Sequence, residues 1–191
     1  RSECQFRISI PDNIQGVWDP TNDYSYAGLE QGGEDAMVAT DHITMYDGDT
    51  LIWGVEPDGT KPDADLPMAD RILVDAPCSG LGILAKKPDI RYKTLEKARH
   101  DELLATQSAI LDTAAAHLKP GGRLVYSTCT IDPSENEEQV RAFVGRHPEF
   151  RVVTPEVAFP AGMTVGDWGA LSVPTRTGMD GFFLCAMQKV P

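Results

Sequence analysis

Arg71-Ile72-Leu73-Val74-Asp75-Ala76-Pro77-Cys78-Ser79 and Gly122-Arg123-Leu124-Val125-Tyr126-Ser127-Thr128-Cys129-Thr130 are the stretches whose reading decides the fold. Each is a short apolar run followed at once by a cysteine tetrad. Between them Leu103, Leu104, Gln107, Ile110, Leu111, Ala114 and Leu118 recur at the spacing of one helix face. Lys119-Pro120-Gly121-Gly122 is predicted to stop that helix and turn the chain into the second run. Strand, helix and strand of this size form the parallel crossover unit of an α/β sheet. Ligands and catalytic groups of such sheets gather beyond the carboxyl ends of the strands. Asp75, Cys78 and Cys129 are therefore expected on one rim.

Downstream, Asp132-Pro133-Ser134-Glu135 reads as the start of a helix that turns Val140, Phe143 and Val144 inward, with Pro133 in its first turn. Phe150–Val153 and Phe182–Met187 read as the last strands, with residues 166–181 between them mostly irregular. Upstream of the helix, Ser79-Gly80-Leu81-Gly82 is a flexible loop, Pro88–Tyr92 a second loop and Thr94 the expected N-cap. The first third reads differently. Gln5–Ile10 alternates like a half-buried strand, and residues 28–35 form an acidic, glycine-containing loop. Ile43–Tyr46 and Thr50–Gly54 flank Asp47-Gly48-Asp49 as a β-hairpin should. Proline and acidic residues then crowd the stretch up to Pro67, as in a linker.

Charge supports a boundary there. The 191 residues carry a formal charge of −12, yet residues 1–65 hold 3 basic and 14 acidic side chains against 14 and 15 in residues 66–191. The acidity belongs to the first third, and a composition change of this kind marks a domain boundary. In the second part Lys86, Lys87, Arg91, Lys93, Lys97 and Arg99 cluster, which suits either phosphate binding or a solvated helix entrance. No apolar run approaches the eighteen or so residues of a membrane span, and no signal-peptide pattern opens the chain. The four cysteines have no metal-type spacing and read as free thiols of a reducing compartment, with Cys4 and Cys185 as packing residues. His42, His100, His117 and His147 show no metal-like or triad-like spacing and are expected in surface or capping roles.

The pairing of Asp75-Ala76-Pro77-Cys78-Ser79-Gly80 with Ser127-Thr128-Cys129-Thr130 resembles the S-adenosylmethionine-dependent RNA cytosine-5 methyltransferases of the 16S rRNA, RsmB/Sun type. Lys86–Arg91, Leu118–Gly122, Pro133–Glu137 and Asp180–Phe183 match the same family in order and spacing. The resemblance implies Cys129 as the nucleophile, Cys78 as the residue that assists product release, and Asp75 and Pro77 at the cofactor and target base. The chemistry explains the need for a thiol. C5 of cytosine is too poor a nucleophile to take a methyl group until a thiolate adds at C6, and C6 is reachable only in an unpaired or flipped base. The fold class follows as α/β, an incomplete Rossmann-like methyltransferase sheet over residues 68–191. It is preceded by a β-rich fragment at 1–57 and a linker at 58–67. Upstream of Arg71 no glycine-rich turn follows a strand pattern, so impaired S-adenosylmethionine binding is expected.

Asn22-Asp23-Tyr24-Ser25-Tyr26, with Ile43–Gly48 and Leu51–Pro57, resembles the last strands of a family-3 carbohydrate-binding module, a secreted, calcium-containing β-sandwich. That resemblance implies calcium ligands at Asn22 and Asp23, with Asp19 a weaker one, and cellulose as a partner; oxygen donors in a turn suit calcium. Two readings stand beside the RNA enzyme: a non-catalytic, calcium-dependent cellulose-binding protein, and a chimeric junction without activity. The RNA-enzyme reading places the protein in the cytoplasm, the cellulose-binding reading outside the cell.

Overall fold

The computed structural model describes residues 42–47, 50–53, 68–92, 97–155 and 158–191. All of them fall in the compact unit Ala39–Pro191. The elements in chain order are β1 (His42–Asp47), β2 (Thr50–Trp53), β3 (Ala69–Asp75), two 3-10 turns (Leu81–Ile83 and Pro88–Tyr92), α1 (Lys97–His117), β4 (Leu118–Thr128) and α2 (Glu137–Arg146). They continue with β5 (Phe150–Val152), β6 (Thr164–Gly166), β7 (Gly169–Ser172), α3 (Pro174–Thr177) and β8 (Phe182–Lys189).

The expected crossover is present. β3 and β4 pair in parallel with Asp75 opposite Ser127, so the two cysteine loops leave the sheet side by side. One sheet runs β2-β1-β3-β4-β8-β7-β6, and β5 shares the outer edge of β8 with β7. All pairings except β3 with β4 are antiparallel. The hairpin read from the sequence also forms, with Asp47 opposite Thr50, and its first strand lies antiparallel along β3 with Ile43 opposite Val74.

The core lies on the face covered by α1 and α2. Ile72 and Val74 of β3, Leu124 and Tyr126 of β4, and Cys185 and Met187 of β8 point there at the period of two that a pleated strand imposes. They meet Ile110, Leu111 and Ala114 of α1 and Val140 and Phe143 of α2. Phe143 packs edge-on against Phe150 with ring centroids 5.0 Å apart. Lys189 fixes the end of the crossover helix. Its ammonium donates to the carbonyls of Ala115 and Leu118, which a helix C-terminus leaves without partners.

Several expectations are corrected. The Lys119–Gly122 stretch is not a turn ahead of β4 but a bulge within it, since Ala69 faces Leu118 while Arg71 faces Arg123. Gly121 takes φ +79°, and a Cβ on Gly122 would lie 2.9 Å from the Asp70 carbonyl, so the bulge needs both glycines. Helix α2 begins four residues later than expected, at Glu137. Pro133 lies instead in a turn whose carbonyl accepts from the N–H groups of Asn136 and Glu138. The stretch 166–181 holds part of the β6–β7 hairpin and the short helix α3. His117 is buried rather than at the surface. Thr94, Asn22, Asp23, Asp19 and Cys4 lie outside the described residues.

Candidate active site

The site is the gap between the two loops that leave β3 and β4. Parallel pairing brings their first residues level, and the Ala76 N–H donates to the Ser127 carbonyl at 2.9 Å. Cys78 and Cys129 then meet, with their sulfurs 3.0 Å apart and no disulfide between them. Ser79 Oγ and Thr130 Oγ1 are hydrogen-bonded at 2.7 Å, so the residues that follow the two cysteines are joined as well. The Cys129 backbone N–H points at Cys78 Sγ from 3.2 Å. Both thiols are only partly buried, as groups that must meet a substrate have to be.

The two sulfurs are not equivalent. Its hydrogen bond with Cys78 holds the Cys129 thiol below its ordinary pKa, helped by its own backbone amide and by Lys87, against burial and the charge of Asp75. The same hydrogen bond, together with burial, pushes Cys78 far up. Cys129 is thus the partner of the pair that ionises more readily. A thiolate, rather than a thiol, is the nucleophile in cysteine chemistry. Cys185 is a different case. It is buried in β8, and burial pushes its thiol up to about 12, which suits a packing residue.

Asp75 closes β3 on the same rim. Its side chain is exposed, and Oδ1 accepts from Ser127 Oγ at 2.8 Å. Pro77 precedes Cys78, and its carbonyl accepts from Gln107 Nε2 at 2.8 Å. A third loop supports these two. The Gly82 N–H donates to the Cys129 carbonyl, and the Gly181 N–H donates to the Gly82 carbonyl at 2.8 Å. Lys86 pairs with Asp180 across the same junction. Glycine is required at both contact points: a Cβ on Gly82 would lie 2.0 Å from the Gly181 oxygen.

Sequence reasoning placed Asp75, Cys78 and Cys129 on one rim, and they are found there, with Pro77 in the loop between Asp75 and Cys78. It held Glu135 and Asn136 only as part of the family match Pro133–Glu137 and missed their role, that of residues wholly buried behind the loops, along with the role of Gln107. The available signal was Gln107 itself, an amide in the middle of an apolar stripe, where a buried polar group needs partners. His100, Asp132 and Glu135 also lie together, each with a ligand-type atom within 4.8 Å of the others. Histidine spacing gave no hint of this. The group is a hydrogen-bonded junction, in which Ser134 Oγ meets both His100 Nε2 and Asp132 Oδ1.

The family model of the 16S rRNA methyltransferase RsmB/F matches residues 43–188. The chain belongs to the RsmB/F family. A cellulose binding domain model matches residues 1–54, so the β1–β2 hairpin is claimed by both. The probable ribosomal RNA small subunit methyltransferase B of Bacillus subtilis (strain 168) is 45% identical over 125 residues, covering 63% of this chain and 27% of that protein. Its counterpart in Synechocystis sp. is 39% identical over 168 residues, covering 86% of this chain and 37% of that protein. The RsmB/F-family chain thus spans well under half the length of these relatives. Among solved structures, PH0851 superposes with a TM-score of 0.63 at 32% identity, covering 74% of this chain and 32% of that one. NSun6 from Pyrococcus horikoshii, solved with SFG, gives 0.55 at 27% identity, covering 65% and 31%. The α/β sheet is therefore a partial Rossmann-like fold of the methyltransferase kind, and the family to which it belongs is S-adenosylmethionine-dependent.

Asp75 stands exposed at the end of a parallel strand, where such sheets receive ligands such as S-adenosylmethionine. That residue fits a contact to the cofactor or base. No helix among the described residues is long and apolar enough to cross a membrane.

Proposed function

We propose that the cysteine pair serves methylation at C5 of an unpaired cytosine in RNA, with 16S rRNA as the substrate class and the cytoplasm as the compartment. The Cys129 thiolate adds to C6, and the electron pair moves to C5. S-Adenosylmethionine, when bound, supplies the electrophilic methyl group. A base then removes the C5 proton, the C5–C6 double bond re-forms, and Cys129 leaves as thiolate. Cys78, hydrogen-bonded to the departing sulfur, assists that release. Asp75 orients the base and contacts the methyl donor, and Pro77 shapes the loop between Asp75 and Cys78. The observation that carries this reading is the 3.0 Å contact in which Cys129 is the lower-pKa partner.

The proposed division keeps residues 68–191 as the catalytic half, 58–67 as linker and 1–57 as the β-rich fragment, whose hairpin lends a strand to the sheet. RNA carrying 5-azacytidine tests the mechanism, because its adduct cannot eliminate and survives denaturation. Cys129→Ala is expected to abolish the adduct and Cys78→Ala to leave it. An adduct unaffected by Cys129→Ala would sink the assignment.

The match of residues 1–54 to a cellulose binding domain favours a second reading, calcium-dependent cellulose binding by the first third through Asn22 and Asp23. Pull-down on crystalline cellulose with and without chelator decides it. Retention that the chelator abolishes supports it, and no retention removes it.

A further inference from the structure

Glu135 is wholly buried, and placing a carboxyl group in a protein interior costs several kcal/mol unless hydrogen bonds replace its water. Its Oε2 accepts from the Ser79 backbone N–H at 2.8 Å and from Gln107 Nε2 at 3.0 Å. Gln107 is wholly buried too, and the same nitrogen donates its second hydrogen to the Pro77 carbonyl at 2.8 Å. A flipped amide would set an oxygen against two acceptors, so the network fixes its orientation. Pro77 and Ser79 are the two residues that flank Cys78.

Asn136 does the same on the other side. It is wholly buried, its Oδ1 accepts from Thr128 Oγ1 at 2.6 Å, and its Nδ2 donates to the Thr130 carbonyl at 3.1 Å. Thr128 and Thr130 are the two residues that flank Cys129. The dipeptide is itself anchored to β4, since Tyr126 OH donates to the Glu135 carbonyl at 2.8 Å. Burial pushes the Tyr126 phenol well up, which keeps that donor protonated.

We infer that the buried Glu135-Asn136 dipeptide, together with Gln107, is a two-armed clamp that positions the cysteines. Glu135 and Gln107 grip the backbone on either side of Cys78, Asn136 grips the groups on either side of Cys129, and the sulfur–sulfur contact is set by both. None of the three residues touches substrate in this account; they are positioning residues and act through the thiols. The inference rests on the proposed reading of Cys129 as nucleophile and Cys78 as its partner.

The groups that face Cys129 are Cys78 from its loop, Asp75 from the end of β3, Lys87 from the segment between the two 3-10 turns, and its own backbone amide. Of these, only Cys78 is held by Glu135. Losing the clamp should therefore remove the S–H donor and let the Cys129 thiol climb back towards its ordinary value. Glu135→Met removes the acceptor shared by the Ser79 N–H and Gln107 Nε2 and breaks that arm with a modest change in volume.

The experiment is the pH dependence of iodoacetamide alkylation on the whole chain, read on the peptide that carries Cys129. Glu135→Met is expected to raise the midpoint by about one pH unit, a tenfold loss of thiolate below both midpoints. In a Cys78→Ala background the same substitution is expected to add nothing, because neighbours that act through one contact are not additive. An unchanged midpoint, or an equal shift with and without Cys78, overturns the clamp. Should circular dichroism show that Glu135→Met is unfolded, Gln107→Met is read by the same two criteria. Alkylation needs neither RNA nor methyl donor, so failure here and failure of the adduct assay are separate results.

Discussion

A lone thiol at the position of Cys129 would titrate near the ordinary cysteine value of about 8.5. The S–H of Cys78 is what should separate it from that value. The sign is fixed by the donor: a hydrogen bond to the thiolate stabilises the charged form, so alkylation of Cys129 should rise with pH through a midpoint below the ordinary cysteine value. Cys78→Ala should move that midpoint up, and peptide-resolved alkylation between pH 6 and 10 or so checks it. The two cysteines were legible because each closes an apolar run, and a strand end in an α/β sheet is where function collects. Glu135 and Asn136 were legible only as part of the family match Pro133–Glu137, not in their role. By pattern alone they look like polar residues at a helix start, and only the turn from Pro133 to Asn136 swings them beneath the loops. Gln107 was counted into the apolar stripe, which gave its location but not its partners.

Secondary-structure elements carry the second set of expectations. Phe143 on α2 is wholly buried against Phe150, and Phe143→Ala should cost about 3–5 kcal/mol, read as a lower urea midpoint at unchanged slope. The contact of Gly82 with Gly181 has no space for a methyl group, so Gly82→Ala should cost about 3 kcal/mol, the upper end for overpacking. It should also displace the Cys129 loop, since Gly82 donates to the Cys129 carbonyl. Strands β3, β4 and β8, the hairpin β1–β2 and the crossover helix were legible from period and turn chemistry. The β6–β7 hairpin was not, because its strands are three and four residues long and offer no period to read. The start of β4 was hidden for a related reason: Pro120-Gly121-Gly122 signals a turn, and here that turn is a bulge inside a strand.

At the scale of the whole molecule, the sheet places the one parallel pair among the described strands at the chemistry, with antiparallel strands on either side. The family and its fold were legible because the motifs lie in order over the second part of the chain. How the first third relates to them was less so, since a composition change marks a boundary without saying which side a hairpin joins. The central claim is that Cys129, and not Cys78, bonds to the base. Its most direct test incubates the chain with 5-azacytidine RNA and saturating methyl donor, digests the denatured product, and locates the nucleotide by peptide mass spectrometry. The account predicts the nucleotide on the peptide that contains Cys129. A nucleotide on the Cys78 peptide, or no covalent product, would contradict it.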